Sequence, residues 1–132
     1  MTHNHQTLET AIVAAGANVA PRVTPADIEH NIASEHYFTA AHGVEGAMAQ
    51  LELHQRYADT DTTKEKAPQS AALHLLTFCV LGLRNGFTVT GESACASPEN
   101  FNAEIGRRIA RENAIAKVWP LMGYALREKL AK

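Results

Sequence analysis

The chain has 132 residues, 45% of them hydrophobic, which suits one domain with its own core and leaves too little for two. Lys and Arg number 12 against 14 Asp and Glu, a formal charge of -2, so the chain lacks the broad basic field of a protein that binds nucleic-acid polymers. Charged residues at 20% are ordinary for a globular protein and argue against wholesale disorder and against a fibrous chain.

No apolar stretch approaches the roughly 18 residues of a membrane span. Residues 1–10 are polar and lack the cationic and apolar segments of a signal peptide, so a cytoplasmic location is expected. Cys79 and Cys95 are the two cysteines, expected to be reduced in such a compartment. Cys79 sits in an apolar run and reads as a small core residue. Cys95 stands just before a predicted helix start, whose dipole favours a thiolate, but no Cys–His signature surrounds it.

In chain order, residues 7–15 carry a weak helical pattern with Leu8, Ile12 and Ala15 on one side, stopped by Gly16 and Pro21. Thr24-Pro25-Ala26-Asp27 is a clearer helix start: Thr24 caps, Pro25 suits the first helical position and Asp27 the acidic third. Ile28 and Ile32 share a face, and the helix is expected to end near Ser34. Residues 36–41, with Tyr37 and Phe38, favour a short strand that His42-Gly43 turns. Residues 43–57 are ambiguous, with Ala47, Met48, Leu51 and Leu53 permitting a helix. Residues 59–70 are polar, contain Pro68 and read as an exposed flexible loop.

The pattern then sharpens. Residues 75–84 form an apolar run, Asn85-Gly86 follows, and Phe87, Val89 and Gly91 then alternate with Thr88, Thr90 and Glu92. An Asn-Gly pair between two strand-like runs is a strong hairpin signal, read as a turn with positive φ at both central residues. Ser97-Pro98-Glu99 is expected to open a long helix whose stripe of Phe101, Ile105, Ile109, Ile115 and Val118 lies on the sheet. Pro120 should end that helix near Val118 or Trp119, with a last helix over 122–130. The expected fold is a single α+β domain over 1–132. Its small antiparallel sheet is built on the hairpin at Asn85-Gly86, with a third strand at Tyr37, and is covered by N- and C-terminal helices. Residues 1–23 are peripheral.

Few residues invite chemistry. Arg107, Arg108 and Arg111 cluster on the long helix; they are either a solvated face paired with Glu104 and Glu112, or a site for phosphate or carboxylate. Ser97 to Asn100 is a predicted helix N-terminus with N–H groups suited to an anion, one of them taken by the Ser97 cap. Phe87 is either a core aromatic or a stacking platform for a base, with core the more usual outcome. Thr88 and Thr90 either hydrogen-bond a ribose or face solvent. The seven histidines have no partners at zinc spacing, so no metal is expected. No Walker loop, dinucleotide glycine pattern, nucleophile elbow or acid–base pair is present, and no cofactor or enzymatic activity is expected.

The run Asn85-Gly86-Phe87-Thr88-Val89-Thr90-Gly91-Glu92-Ser93-Ala94-Cys95 resembles a small phage protein family, the gp-forty-nine-like or gene-sixty-six-like proteins. So do Ser97-Pro98-Glu99-Asn100-Phe101, Glu104-Ile105-Gly106, and Trp119-Pro120-Leu121 before Gly123-Tyr124. The resemblance covers residues 75–130 strongly and 24–39 more weakly. It implies a phage or prophage origin and action in the host bacterial cytoplasm. It also links the chain to the Thoeris anti-defence sponges, homo-oligomers that sequester cyclic ADP-ribose-type signals, with relatives that bind cyclic oligonucleotides, and do not degrade them. On that resemblance Phe87 stacks on adenine and Ser97 lines the pocket. Thr88, Thr90 and Asn100 stand beside them, and Arg107, Arg108 and Arg111 are candidates to meet the phosphates. The alternative expectation is a protein–protein adaptor that captures a host factor or assists phage assembly.

Overall fold

Residues 5–58 and 71–132 are described by the computed structural model, and the expected loop 59–70 lies outside them. Among the described residues the order is α1 (His5–Ala14), α2 (Pro25–Asn31), β1 (Ile32–Thr39), α3 (Ala40–Ala58), β2 (Leu76–Leu83), β3 (Thr88–Ala94) and α4 (Ala103–Leu130). Short 3-10 turns stand at Ala71–Leu75 and Pro98–Asn100. The strands form one antiparallel sheet in the order β1-β2-β3, packed against α4, so the chain is α+β as expected. No described helix is long and apolar enough to cross a membrane.

The local signals at the N-terminal side act largely as read. Gly16 takes a φ of +70° just beyond α1, a conformation that costs glycine little. Thr24 and Asp27 form a full capping box at the start of α2: Asp27 N–H donates to Thr24 Oγ1 at 3.1 Å and Thr24 N–H to Asp27 Oδ2 at 2.9 Å. The helix ends at Asn31, short of Ser34, because pairing with β2 recruits the chain from Ile32 onward. His42-Gly43 does not turn the chain either. Instead His42 N–H donates to Thr39 Oγ1 and Thr39 N–H to His42 Nδ1, both at 3.2 Å. The imidazole nitrogen takes the place of the usual carboxylate in a capping box, and α3 starts directly from the strand.

The hairpin is present with a different turn from the one expected. Leu83 N–H donates to Phe87 C=O at 2.8 Å, and Gly86 N–H to Leu83 C=O at 2.9 Å. The loop is therefore three residues, Arg84-Asn85-Gly86, and Gly86 supplies the left-handed conformation at φ +92°. Asn85 contributes through its side chain, Oδ1 accepting from Phe87 N–H at 2.9 Å.

Three expectations about the last helix are corrected. Ser97 makes no side-chain cap and opens only the 3-10 turn. The true cap is Asn102, whose Oδ1 accepts from Ile105 N–H at 3.0 Å. Pro120 does not end the helix: α4 runs through it without a break. A proline removes one backbone donor and crowds one carbonyl, but Val118 before it is buried, and Trp119 and Met122 around it pack on the core. That packing holds the helix continuous. Finally, Ile105 and Ile109 do not lie on the sheet; they are 55% and 42% exposed. The face of α4 on the sheet is Gly106, Ala110, Ala114, Ile115 and Val118.

The reason is a close approach between α4 and β3. A Cβ placed on Gly91 would stand 2.1 Å from the Ala110 carbonyl oxygen and 2.2 Å from the Ala114 nitrogen. Only small residues fit on the helix where its backbone meets the strand at that distance. The rest of the core, Ile28, Cys79, Leu81, Leu83 and Val89, fills the space on either side of this seam. Burial also raises the Cys79 thiol above its ordinary range, so it stays protonated.

Arg111 fastens the other edge of the helix. Its Nη1 and Nη2 donate to Glu29 of α2 at 3.0 and 2.6 Å, and its Nε to Glu35 of β1 at 2.8 Å. Glu35 reaches it because Glu35 pairs with the buried Leu81 and so lies on the helix side of the sheet. The Arg111 hydrogen bonds hold the Glu29 carboxyl below its ordinary value of 4.5, against a smaller opposing effect of burial. At the sheet's free edge Asn113 Nδ2 donates to the Glu92 carbonyl at 2.7 Å.

Gly91→Ala forces α4 off the sheet and lowers unfolding stability by about 3 kcal/mol or more in urea titration. Gly123→Ala, on the same helix with nothing within 4 Å of the new methyl, is neutral or stabilising by up to about 1 kcal/mol. Because the Glu29 carboxyl is depressed in the folded state, its contribution is complete above about pH 4.5 and is lost as the pH falls through the folded value. Glu29 is half exposed, so solvent screening keeps the effect at about 1 kcal/mol or less. Glu29→Gln therefore lowers the thermal midpoint at neutral pH, and the difference from the parent chain narrows as the pH falls below about 4.5, read by a melting series.

Candidate functional site

The eight residues singled out from the sequence do not converge. Phe87 stands at the hairpin end of the sheet. Ser97 and Asn100 lie in the connection beyond the far end of β3. That strand has seven residues, which separate the two groups by about 20 Å. Thr88 and Thr90 are exposed on the face of the sheet away from α4, and Thr90 Oγ1 donates to Glu92 Oε1 at 3.3 Å. Ser97 C=O accepts from Asn100 N–H and from the Cys95 thiol at 3.0 and 3.2 Å.

The three arginines also diverge. Arg111 is engaged by Glu29 and Glu35, not by Glu104 or Glu112. Arg108 points to solvent beside Ile105 and Ile109. Arg107 turns toward β1 and lines a small cavity.

The hairpin end carries a broad concavity. A groove of about 420 Å³ runs between α2 and the last turns of α4, with Val23, Met122, Ala125 and Leu126 as apolar lining. Arg22, Arg84 and Lys129 supply positive charge, His30 and Asn31 add polar groups, and Asp27 is the one acidic lining residue. Arg22 is held by Glu9, with Nη–Oε distances of 2.6 and 2.9 Å. Arg84 is oriented by its Nε, which donates to the His30 carbonyl. Lys129 has no ion pair among the described residues.

Across Asn31, Met122 and Ala125 this groove adjoins a second hollow of about 250 Å³ lined by Leu83, Asn85, Phe87 and Leu121. Phe87 is 56% exposed, so its ring is no core aromatic. Its position follows from the loop: the Asn85 side chain fixes its N–H, and its carbonyl closes the hairpin. Arg84 and Lys129 were not among the residues singled out from sequence. Arg84 carried a usable signal, since it immediately precedes the Asn-Gly pair that presents Phe87. Lys129 carried none, because its place depends on α4 passing through Pro120.

At the opposite end, Thr39, His42, Thr77, Phe101 and Arg107 surround a cavity of about 90 Å³, with Tyr37, Phe38 and Ala103 completing it. Thr77 is 3% exposed and its Oγ1 has no hydrogen-bond partner. Leaving a buried hydroxyl unpaired costs about 1–3 kcal/mol. Among the described residues, no group of three or more His, Cys, Asp or Glu is placed to hold a metal ion.

No curated protein and no solved structure matches the chain. A family profile does, over residues 23–130, which takes in every element from the end of the α1–α2 connection to the last turn of α4. The chain belongs to the phage protein family described as N4 Gp49/phage Sf6 gene 66.

Proposed function

We propose that this phage protein is a binding protein that sequesters a cyclic nucleotide-type immune signal, a cyclic ADP-ribose isomer or a cyclic oligonucleotide, without degrading it. The observation that carries the reading is Phe87. A half-exposed aromatic ring beside the hairpin loop stands next to a groove whose lining is apolar with a few cations, of which Arg22 and Arg84 are held in place. A base takes the ring face, and phosphates take Arg84 and Lys129. The combined hollow lies in the size range of small-ligand sites. Sequestration asks for nothing more than this, because binding without chemistry needs no positioned acid or base.

The reading includes a homo-oligomer. Phe87 and the Ser97–Asn100 segment lie at opposite ends of β3, so a pocket using both takes one from each of two protomers. It also keeps the host bacterial cytoplasm as the site of action, where such signals are made.

A second reading, capture of a host protein, is favoured by the outer sheet face. There Phe38 and Phe78 stack in register with ring centroids 5.5 Å apart, and Phe38 is 38% exposed. It predicts co-purification of a host protein and no retained small molecule.

Calorimetry against cyclic ADP-ribose isomers and cyclic oligonucleotides, paired with native mass spectrometry, decides between them. The expected result is micromolar or tighter binding, a multimeric mass and chemically intact ligand on release. Phe87→Ala keeps the fold, since the ring is outside the core, and weakens binding about tenfold or more. Absence of binding by every such ligand, or their turnover, sinks the reading.

A further inference from the structure

We propose that the cavity at the Thr39–Thr77 end of the sheet is a second binding site, for a small oxyanion such as a phosphate or carboxylate group. It does not rest on the reading of the hairpin groove, which lies at the other end of β2. Every polar side chain that lines the cavity is able to donate. Arg107 presents a guanidinium with no ion pair among the described residues. His42 accepts at Nδ1 from the Thr39 N–H, so in the neutral ring its proton sits on Nε2, which is left as a donor. Thr39 Oγ1 accepts from the His42 N–H, leaving its own hydroxyl proton to give. Thr77 adds a hydroxyl that is almost fully buried and unpartnered. No carboxylate is among the lining residues.

A buried hydroxyl without an acceptor is rare in a folded protein, and this one lines a hollow whose polar side chains, Tyr37 included, can all donate and include no carboxylate. The sequence keeps the space by a glycine. A Cβ at Gly106 would stand 3.1 Å from Thr77 Oγ1 and 3.8 Å from the Phe101 ring. The cavity of about 90 Å³ is the room of about three water molecules, which suits one compact anionic group. Phe38 and Phe101 supply apolar walls that raise the worth of each charge-assisted hydrogen bond.

The test uses the full chain, with inorganic phosphate and acetate as separate probes at constant ionic strength. Amide chemical shifts and the thermal midpoint are followed together. The expected result is a saturable shift at His42, Thr77 and Arg107 with at least one probe, and which probe acts tells phosphate from carboxylate. Arg107→Gln weakens that binding about tenfold or more. Thr77→Val, equal in shape without the hydroxyl, melts higher than the parent when no probe is present and loses the probe-dependent rise. Arg108→Gln, one residue along and outside the cavity, binds as the parent does. The proposal is overturned if neither probe shifts those residues. It is overturned equally if both cavity variants bind as the parent does, or if Arg108→Gln loses as much as Arg107→Gln.

Discussion

The backbone of α4 lies directly on β3 at Gly91, and most of the rest of the structure follows from that contact. With no side chain on the strand at this point, the helix comes so near that the Ala110 carbonyl and Ala114 nitrogen occupy the space of a Cβ. Helix and sheet packed through large side chains stay about 10 Å apart; here small residues at Gly106, Ala110 and Ala114 let them close. The seam continues with Val118 one turn later. Large residues are then needed only at its flanks, where Leu81, Leu83 and Ile115 lie.

This choice of seam sets the orientation of everything else on the helix. Rotating the small residues inward carries Ile105 and Ile109 outward and leaves Arg108 with them in solvent. Arg107 and Arg111, on one flank, come over β1, where they meet quite different surroundings. Arg111 finds two carboxylates and becomes a clamp between α2, β1 and α4. Arg107, one turn earlier, lines the cavity with Thr39, His42 and Thr77 and has no ion pair among the described residues. On the other flank Asn113 bonds the exposed carbonyl of Glu92, blunting the edge of β3 at that residue. Three arginines that look equivalent on a helical wheel therefore do three different things.

What was legible in the sequence was what local chemistry decides. The Thr24 capping box, the Asn-Gly hairpin, the apolar β2 run, the core place of Cys79 and the third strand at Tyr37 each depend on a few adjacent residues or on an alternation of period two. What was not legible depends on partners far along the chain. The isoleucines step by four more conspicuously than the alanines, but hydrophobic periodicity cannot register that Gly91, on another element, demands small residues opposite it. Pro120 reads as a stop because the residues that carry the helix past it act by tertiary packing. Ser97-Pro98 and Asn102 both carry helix-start chemistry, and only the route of the chain off β3 decides for the second. At the candidate site, Phe87 was singled out for its place after the turn, whereas Arg84 and Lys129 are neighbours only because α4 continues to Leu130.

The near-neutral charge of the chain conceals a sharp division of labour along the sheet. At the hairpin end a flat aromatic surface, apolar lining and cations on separate elements offer contacts suited to a ligand with both a ring and an anionic group. At the other end a small hollow has donors and no carboxylate among its lining side chains, and room for a single group. The strands between them hold the two ends apart by the length of β3. On the proposed reading, a ligand that uses both ends takes them from two protomers rather than from one chain. That constraint is geometric and follows from the length of β3 alone. On that reading assembly state, more than any single side chain, sets the reach of this small domain.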